Sequence, residues 1–246
     1  MIQRGLLCAA LASAAFGCSD APGVPAADSA VVSPNEIVDF GVLYATNCAG
    51  CHGGNGAGGA AIALADPGYL AIADDATIRR VTAYGVPGTA MPAFAQSAGG
   101  LLTDEQIDVI VNGIRTRWAK PNVFSGADVP HYSEPTPGDP ARGAVVFAQD
   151  CASCHGADSS GSQHASSIVD GAYLALVSDQ GLRTTIIVGR PELGAPDWRH
   201  NAGGKAISSE DVSDVVAWLS SQRPRTAEPA STAPGKTDSF IVGESK

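Results

Sequence analysis

Two short runs carry the chemistry of this chain: Cys48-Ala49-Gly50-Cys51-His52 and Cys151-Ala152-Ser153-Cys154-His155. On a helix, cysteines at i and i+3 share a face, so each can close a thioether to one vinyl of a haem while the next imidazole reaches the iron. A redox-active or zinc-binding Cys-x-x-Cys pair beside a histidine is the competing chemistry, and two copies in matching surroundings weigh against it. Two covalently attached haem c groups are therefore expected. Cys48, Cys51, Cys151 and Cys154 would attach them, and His52 and His155 would ligate the two irons.

Residues 1–17 read as an export signal: a positive charge at Arg4, an apolar run from Gly5 to Phe16, then small residues up to Cys18. The run is too short to span a membrane, and nothing after it is apolar enough to do so. Ala15-Phe16-Gly17-Cys18 resembles a bacterial lipobox with Cys18 as the lipidated first residue, and cleavage after Ala12-Ser13-Ala14 is the alternative. Of six cysteines, Cys8 falls in the leader and Cys18 at the anchor, so the haem motifs take the other four and no structural disulfide is expected. Ser19 after Cys18 leans towards sorting to the outer of two bacterial membranes. The formal charge is −10, and −11 once residues 1–17 are removed. Such acidity argues against nucleic acid and against a polybasic membrane contact, leaving the lipid as the membrane attachment. It favours docking to a basic patch on a protein partner, or simply keeps an exported protein soluble.

The chain repeats itself. Tyr69-Leu70-Ala71 matches Tyr173-Leu174-Ala175 and Gly85, Pro87 and Pro92 match Gly189, Pro191 and Pro196 at an offset of 104, while the haem motifs match at 103. Thr103 to Val111 matches Ser208 to Val216 at 105. The organisation expected is a signal peptide (1–17), a lipid anchor and flexible tether (18–35), two domains (36–118 and 139–223), a Pro-rich semi-stiff linker (119–138) and a disordered tail (224–246). Helices are expected over about 35–47 and 139–150 ahead of the motifs, with Tyr44 and Phe147 each four residues before the first cysteine. Closing helices are expected over about 103–117 and 208–221, with Ile107, Ile110, Val111 and Ile114, and Val212, Val215, Val216 and Leu219, on their inner faces.

With the haem motif, the Gly88-Thr-Ala-Met-Pro-Ala-Phe94 loop and the closing helix in that order, each half resembles a class I cytochrome c domain. The resemblance implies an all-α fold of a few helices around each haem. It places the sixth iron ligand in the 88–94 loop, where Met91 stands 39 residues after His52. A thioether ligand raises the potential and suits electron carrying. At offset 104 Met91 falls on Ala195, which cannot ligate iron. The second haem then takes His200, five residues further on, or keeps an open distal face. His164 is a weaker substitute, and His131 reads as a surface residue of the linker. The family also crosses its first and last helices at a small residue facing an aromatic. Gly143 and Trp218 fit those places, whereas in the first half Gly41 is suitable but Gly113 replaces the aromatic. For the proximal imidazole's second nitrogen, the resemblance points to a carbonyl at Pro67, with Gly171 as its counterpart.

The function this implies is electron transfer on the periplasmic side of a bacterial membrane, between a quinol-oxidising respiratory complex and a terminal oxidase or reductase. The Val188–Gly194 segment is similar to cytochrome domains that accompany bacterial respiratory complexes such as alternative complex III. An enzyme is a second possibility, a peroxidase or a gas or peroxide sensor using an open second haem with Arg199, His200 or Glu192 nearby as acid or base. A third is an accessory subunit whose second domain is mainly a docking module.

Overall fold

The computed structural model describes residues 32–200 and 203–224. The expected signal peptide, Cys18, most of the tether and all but the first residue of the tail lie outside the described residues.

Acid, Ser and Thr side chains that accept backbone N–H bonds set the helix starts. Asp39 caps α1 (Phe40–Asn47), which runs through Cys48 into the short α2 (Ala49–His52). Asp66, Asp74 and Thr103 cap α3 (Pro67–Ile72), α4 (Asp75–Tyr84) and α5 (Asp104–Trp118). The second half repeats the series: α6 (Pro140–Asp150), α7 (Ala152–His155), α8 (Gly171–Leu176), α9 (Asp179–Val188) and α10 (Ser209–Ser221). Among the described residues there is no strand, only isolated bridges, in keeping with the all-α tandem expected. The first helix is shorter than its apolar pattern, because Asp39 caps it and Pro34–Glu36 forms a separate 3-10 turn. All eight apolar residues expected on the inner faces of α5 and α10 are buried.

The two halves close the same helix crossing in opposite senses. In the second, Gly143 of α6 lies so close to α10 that a Cβ there would sit 2.0 Å from the Asp214 carbonyl oxygen, with Trp218 of α10 beside it. In the first, the glycine is Gly113 on the closing helix and the aromatic is Phe40 on the opening one; a Cβ on Gly113 would fall 1.9 Å from the Phe40 ring. Phe40 aligns with Gly143 at offset 103 and Gly113 with Trp218 at 105, so small and large residues have changed places. This corrects the expectation for Gly41, which is exposed and meets only its neighbour Asp39. Tyr44, Phe40 and Trp118 form an aromatic cluster there, with Tyr44 5.2 Å from Trp118, while Phe147 stacks on Trp218 at 4.5 Å.

A second pair of equivalents is found one turn apart. Arg115 of α5 donates to the carbonyls of Leu70 and Ala73 and pairs with Asp75. In the second half Arg223, just past α10, donates to Leu174 and Val177 and pairs with Asp179. These are the matching carbonyls and acid, reached from a different position. The linker is more than a semi-stiff connector: it is laid onto α9, where Gln180 Nε2 donates to Tyr132 O at 2.6 Å and Arg183 Nε to His131 O at 2.9 Å. Arg183 aligns with Arg79, which pairs with Asp104 and Asp108 in water. Those acids become Ser209 and Ser213, which bind the guanidinium of Arg183 as the linker buries it.

Candidate functional site

Each Cys-x-x-Cys-His run begins where the opening helix ends. Cys48 caps α1 and Cys151 caps α6, and the next four residues make one further turn that carries Cys51 and His52, or Cys154 and His155. In each pair the first cysteine is half-buried and the second exposed. Burial, with the neighbouring Cys51 adding to it, pushes the Cys48 thiol up to about 11, and burial does the same for Cys151, to about 12. Among the described residues no three His, Cys, Asp or Glu side chains are grouped to hold a metal ion.

His52 is buried, and its Nδ1 lies 2.8 Å from the carbonyl oxygen of Ile62. A carbonyl can only accept, so Nδ1 carries the proton and Nε2 keeps its lone pair, the tautomer an iron ligand needs. Burial lowers the His52 pKa, against the pull of this bond, and favours the neutral imidazole. In the second half the same contact runs from His155 Nδ1 to Ser166 O at 3.2 Å, and the ring is half-exposed. Ile62 and Ser166 align at offset 104. The acceptor is thus neither Pro67 nor Gly171, both of which begin helices instead. A main-chain acceptor leaves no mark in residue type, and only the repeat register could have pointed to it. Two cysteines straddling a turn, a histidine with its outer nitrogen tied back and the iron-facing nitrogen free, and apolar surroundings fit a covalently bound haem in each half.

The loops that would face the other side of each haem share one backbone. In the first, Val86 N–H donates to Met91 O at 3.0 Å, and Thr89 Oγ1 donates to Val86 O and accepts from Met91 N–H. In the second, Arg190 N–H donates to Ala195 O and Ala195 N–H to Arg190 O, both at 3.0 Å. Gly85 and Gly189 open the loops at φ 69° and 72°, with Met91 O 2.7 Å and Ala195 O 2.6 Å from where a Cβ would be. Ala195 therefore stands where Met91 stands, with the sulfur removed and the loop kept.

His200 is not brought to Ala195 by this loop. Trp198 is buried, and its N–H donates to Ile187 O at the C-terminal end of α9. Beyond it His200 is largely exposed, with Nδ1 3.0 Å from Asp197 Oδ1. Arg199 holds the same carboxylate at 2.6 Å. His164 is exposed on the Ser/Gly loop, and His131 is exposed near Glu134. Among the described residues no helix is long and apolar enough to cross a membrane.

Comparison with known proteins gives the same assignment of the two halves. The family described as cytochrome c oxidase, cbb3-type, subunit III matches residues 35–112 and again 138–219. The chain belongs to that family. It is 30% identical over 179 residues to the cbb3-type cytochrome c oxidase subunit CcoP of Azospirillum sp. (strain B510), covering 68% of this chain and 49% of that protein. To the FixP subunit of Sinorhizobium medicae (strain WSM419) it is 26% identical over 217 residues, 81% of this chain and 60% of the other. A cytochrome bc1 complex cytochrome c subunit of Mycobacterium bovis (strain ATCC BAA-935 / AF2122/97) is 25% identical over 181 residues, 72% of this chain and 60% of the other. The chain thus spans about half to three fifths of these relatives. It is a tandem class I c-type cytochrome that carries two covalently bound haem c groups.

Proposed function

We propose that this protein is an electron carrier between respiratory complexes, with haem 1 on Cys48, Cys51 and His52, ligated also by Met91, and haem 2 on Cys151, Cys154 and His155. The carrying observation is the repeated frame: two Cys-x-x-Cys-His turns, each with its histidine tied to the aligned carbonyl of Ile62 or Ser166. Haem supplies a one-electron ferric/ferrous couple when bound, and the chain supplies ligands, apolar cover and position. The relatives named as subunits of a terminal oxidase and of a bc1 complex support a place between a quinol-oxidising complex and a terminal oxidase or reductase. We place the protein on the periplasmic side, exported by residues 1–17 and held by a lipid on Cys18, with its acidic surface meeting a basic patch on the partner. Potentiometry and EPR of the purified protein test this. Two haems, each taking up one electron, with a low-spin His/Met signal lost in Met91→Ala, are expected; a single titrating haem would refute it.

A second reading concerns haem 2, and one observation favours it: the loop at Ala195 keeps its shape without a sulfur, while His200 is turned to Asp197. On this reading the distal face is open, and the protein also binds a small ligand such as a diatomic gas or peroxide there. Carbon monoxide added to the reduced protein should then shift half of the haem absorbance. No shift, with a second low-spin signal of bis-histidine type that disappears in His200→Ala, would put His200 on the iron.

A further inference from the structure

The second half's 189–199 loop has two sides. One carries Ala195 in the place of the absent ligand, and the other meets the first half. Phe124 of the linker stands edge-on to Trp198, with centroids 4.6 Å apart and planes at 79°. The Arg199 guanidinium lies 5.1 Å from both rings, and Asp197 fixes it from the same loop. Phe124 also reaches α3 of the first half, where a Cβ on Gly68 would come within 2.8 Å of its ring and 3.5 Å of Val188. Arg190, paired with Glu192 at 2.5 Å, points its Nη2 at Gly59 O across the boundary, 3.5 Å away. Gly59 lies in the short loop that runs on to Ile62, whose carbonyl holds His52. The Asp66 carboxyl is raised by burial first and, beyond that, by the charges of Glu192 and Asp197 from the second half.

These contacts form a continuous structure. It leads from the imidazole tied to Ile62, through the 59–62 loop and Arg190, to the loop that closes the second haem site. The apolar arm through Phe124 and Trp198 runs beside it. Of its members, Trp198 is buried in the core and Phe124 packs against it, touching α3 of the first half as well as Trp198 of the second, while Arg190 reaches from the second half to Gly59.

We propose that Phe124 and Arg190 are positioning residues that dock the second half's distal loop onto the first half's haem loop, so that one contact sets both the relation between the two haem sites and access to the second. This rests on the haem placement proposed above. Removing the Phe124 ring deletes an aromatic pair and its buried area, and should raise local opening of the loop about tenfold.

The test is amide hydrogen exchange on the intact dihaem protein, reading residues 120–133 and 189–199 separately in Phe124→Ala, Phe124→Tyr, Arg190→Ala and, as a remote control, Leu101→Ala, which alters a side chain 81% exposed in the first half. Expected is an about tenfold faster exchange in both segments for Phe124→Ala, a smaller rise for Arg190→Ala, near recovery with Phe124→Tyr and no change in the control. Carbon monoxide should bind faster to the reduced second haem in Phe124→Ala than in wild type. Faster exchange confined to 120–133, with the distal loop unmoved in both the Phe124 and Arg190 variants, would overturn the inference. Haem content and the EPR signal of haem 1 on the same samples separate the two claims, since their loss in wild type defeats the proposed function and leaves the exchange result standing.

Discussion

The reversed helix crossings make a quantitative prediction from two alanine substitutions. In Gly143→Ala the new methyl would sit 2.0 Å from the Asp214 carbonyl oxygen and 2.8 Å from Trp218 Cβ. An ordinary contact starts near 3.4 Å, so α10 must retreat by about 1.4 Å. Backbone cannot rotate away. The retreat also stretches the bonds Asp214 accepts from Asp139 N–H at 2.6 Å and Arg142 Nε at 2.7 Å. Overpacking costs about 1–3 kcal/mol and weakened bonds to a charged group about 1–2 more, against a helix-propensity gain of about 1 kcal/mol. The net is a loss of about 2.5 kcal/mol. In Gly113→Ala the obstacle, 1.9 Å away, is the ring of Phe40, a side chain in the first turn of α1 that can tilt aside. With the same propensity gain the net loss is about 1 kcal/mol. The difference of about 1.5 kcal/mol is a factor of about 12 in the local opening constant. Hydrogen exchange of α10 in Gly143→Ala and of α5 in Gly113→Ala, each against wild type, measures it. Equal acceleration in the two helices, or a larger one in α5, would refute the argument that backbone contact and side-chain contact differ in cost here.

Three further outcomes are expected. Reciprocal exchange of the distal ligand should invert the two sites: Met91→Ala should make haem 1 bind carbon monoxide when reduced, and Ala195→Met should give haem 2 a His/Met EPR signal, the unchanged haem serving as the internal reference. Asp214 is raised by burial, but the Arg142 guanidinium and the Asp139 N–H outweigh this and hold its carboxyl below the usual carboxylate range. Its folded pKa is thus lower than its unfolded one near 3.8, so the stability it adds is complete above about pH 5 and is lost as pH falls through the folded value. Asp214→Asn should cost about 1–2 kcal/mol at pH 7 and remove part of the acid destabilisation of the second half, measured by denaturant titration at pH 7 and pH 3. Finally, electron transfer to a terminal oxidase should slow as ionic strength rises from 10 mM to about 0.5 M, as for charge-steered docking, and a rate independent of salt would remove the basic-patch partner.

Sequence reading went furthest where chemistry sits in side chains at fixed spacing. The cysteine and histidine runs and the periodic apolar residues of α5 and α10 could be placed on helices directly, since spacing alone puts them on one face. It went wrong where geometry is carried by the main chain. The carbonyls of Ile62 and Ser166 look like nothing in sequence, and the proline rule pointed to Pro67, which the helix α3 uses as its first residue. Gly41 is a small residue of the kind the crossing needs, but the close approach falls on Gly113 because Phe40 supplies the bulk from the other helix. The linker's proline content described its stiffness but could not show that Gln180 and Arg183 would bind its carbonyls.

The two loops show how one half can carry alanine where the other carries methionine and keep the same shape. The distal loop is held by bonds between backbone groups, Val86 with Met91 and Arg190 with Ala195, and by glycines that let the chain pass close. None of these needs the sulfur. A side chain at that position is therefore free to change while these backbone bonds are kept. The proximal side follows the same logic in weaker form, since Ser166 holds His155 at 3.2 Å where Ile62 holds His52 at 2.8 Å. A longer proximal contact, a half-exposed imidazole and alanine in the loop place of Met91 all fall in the second half.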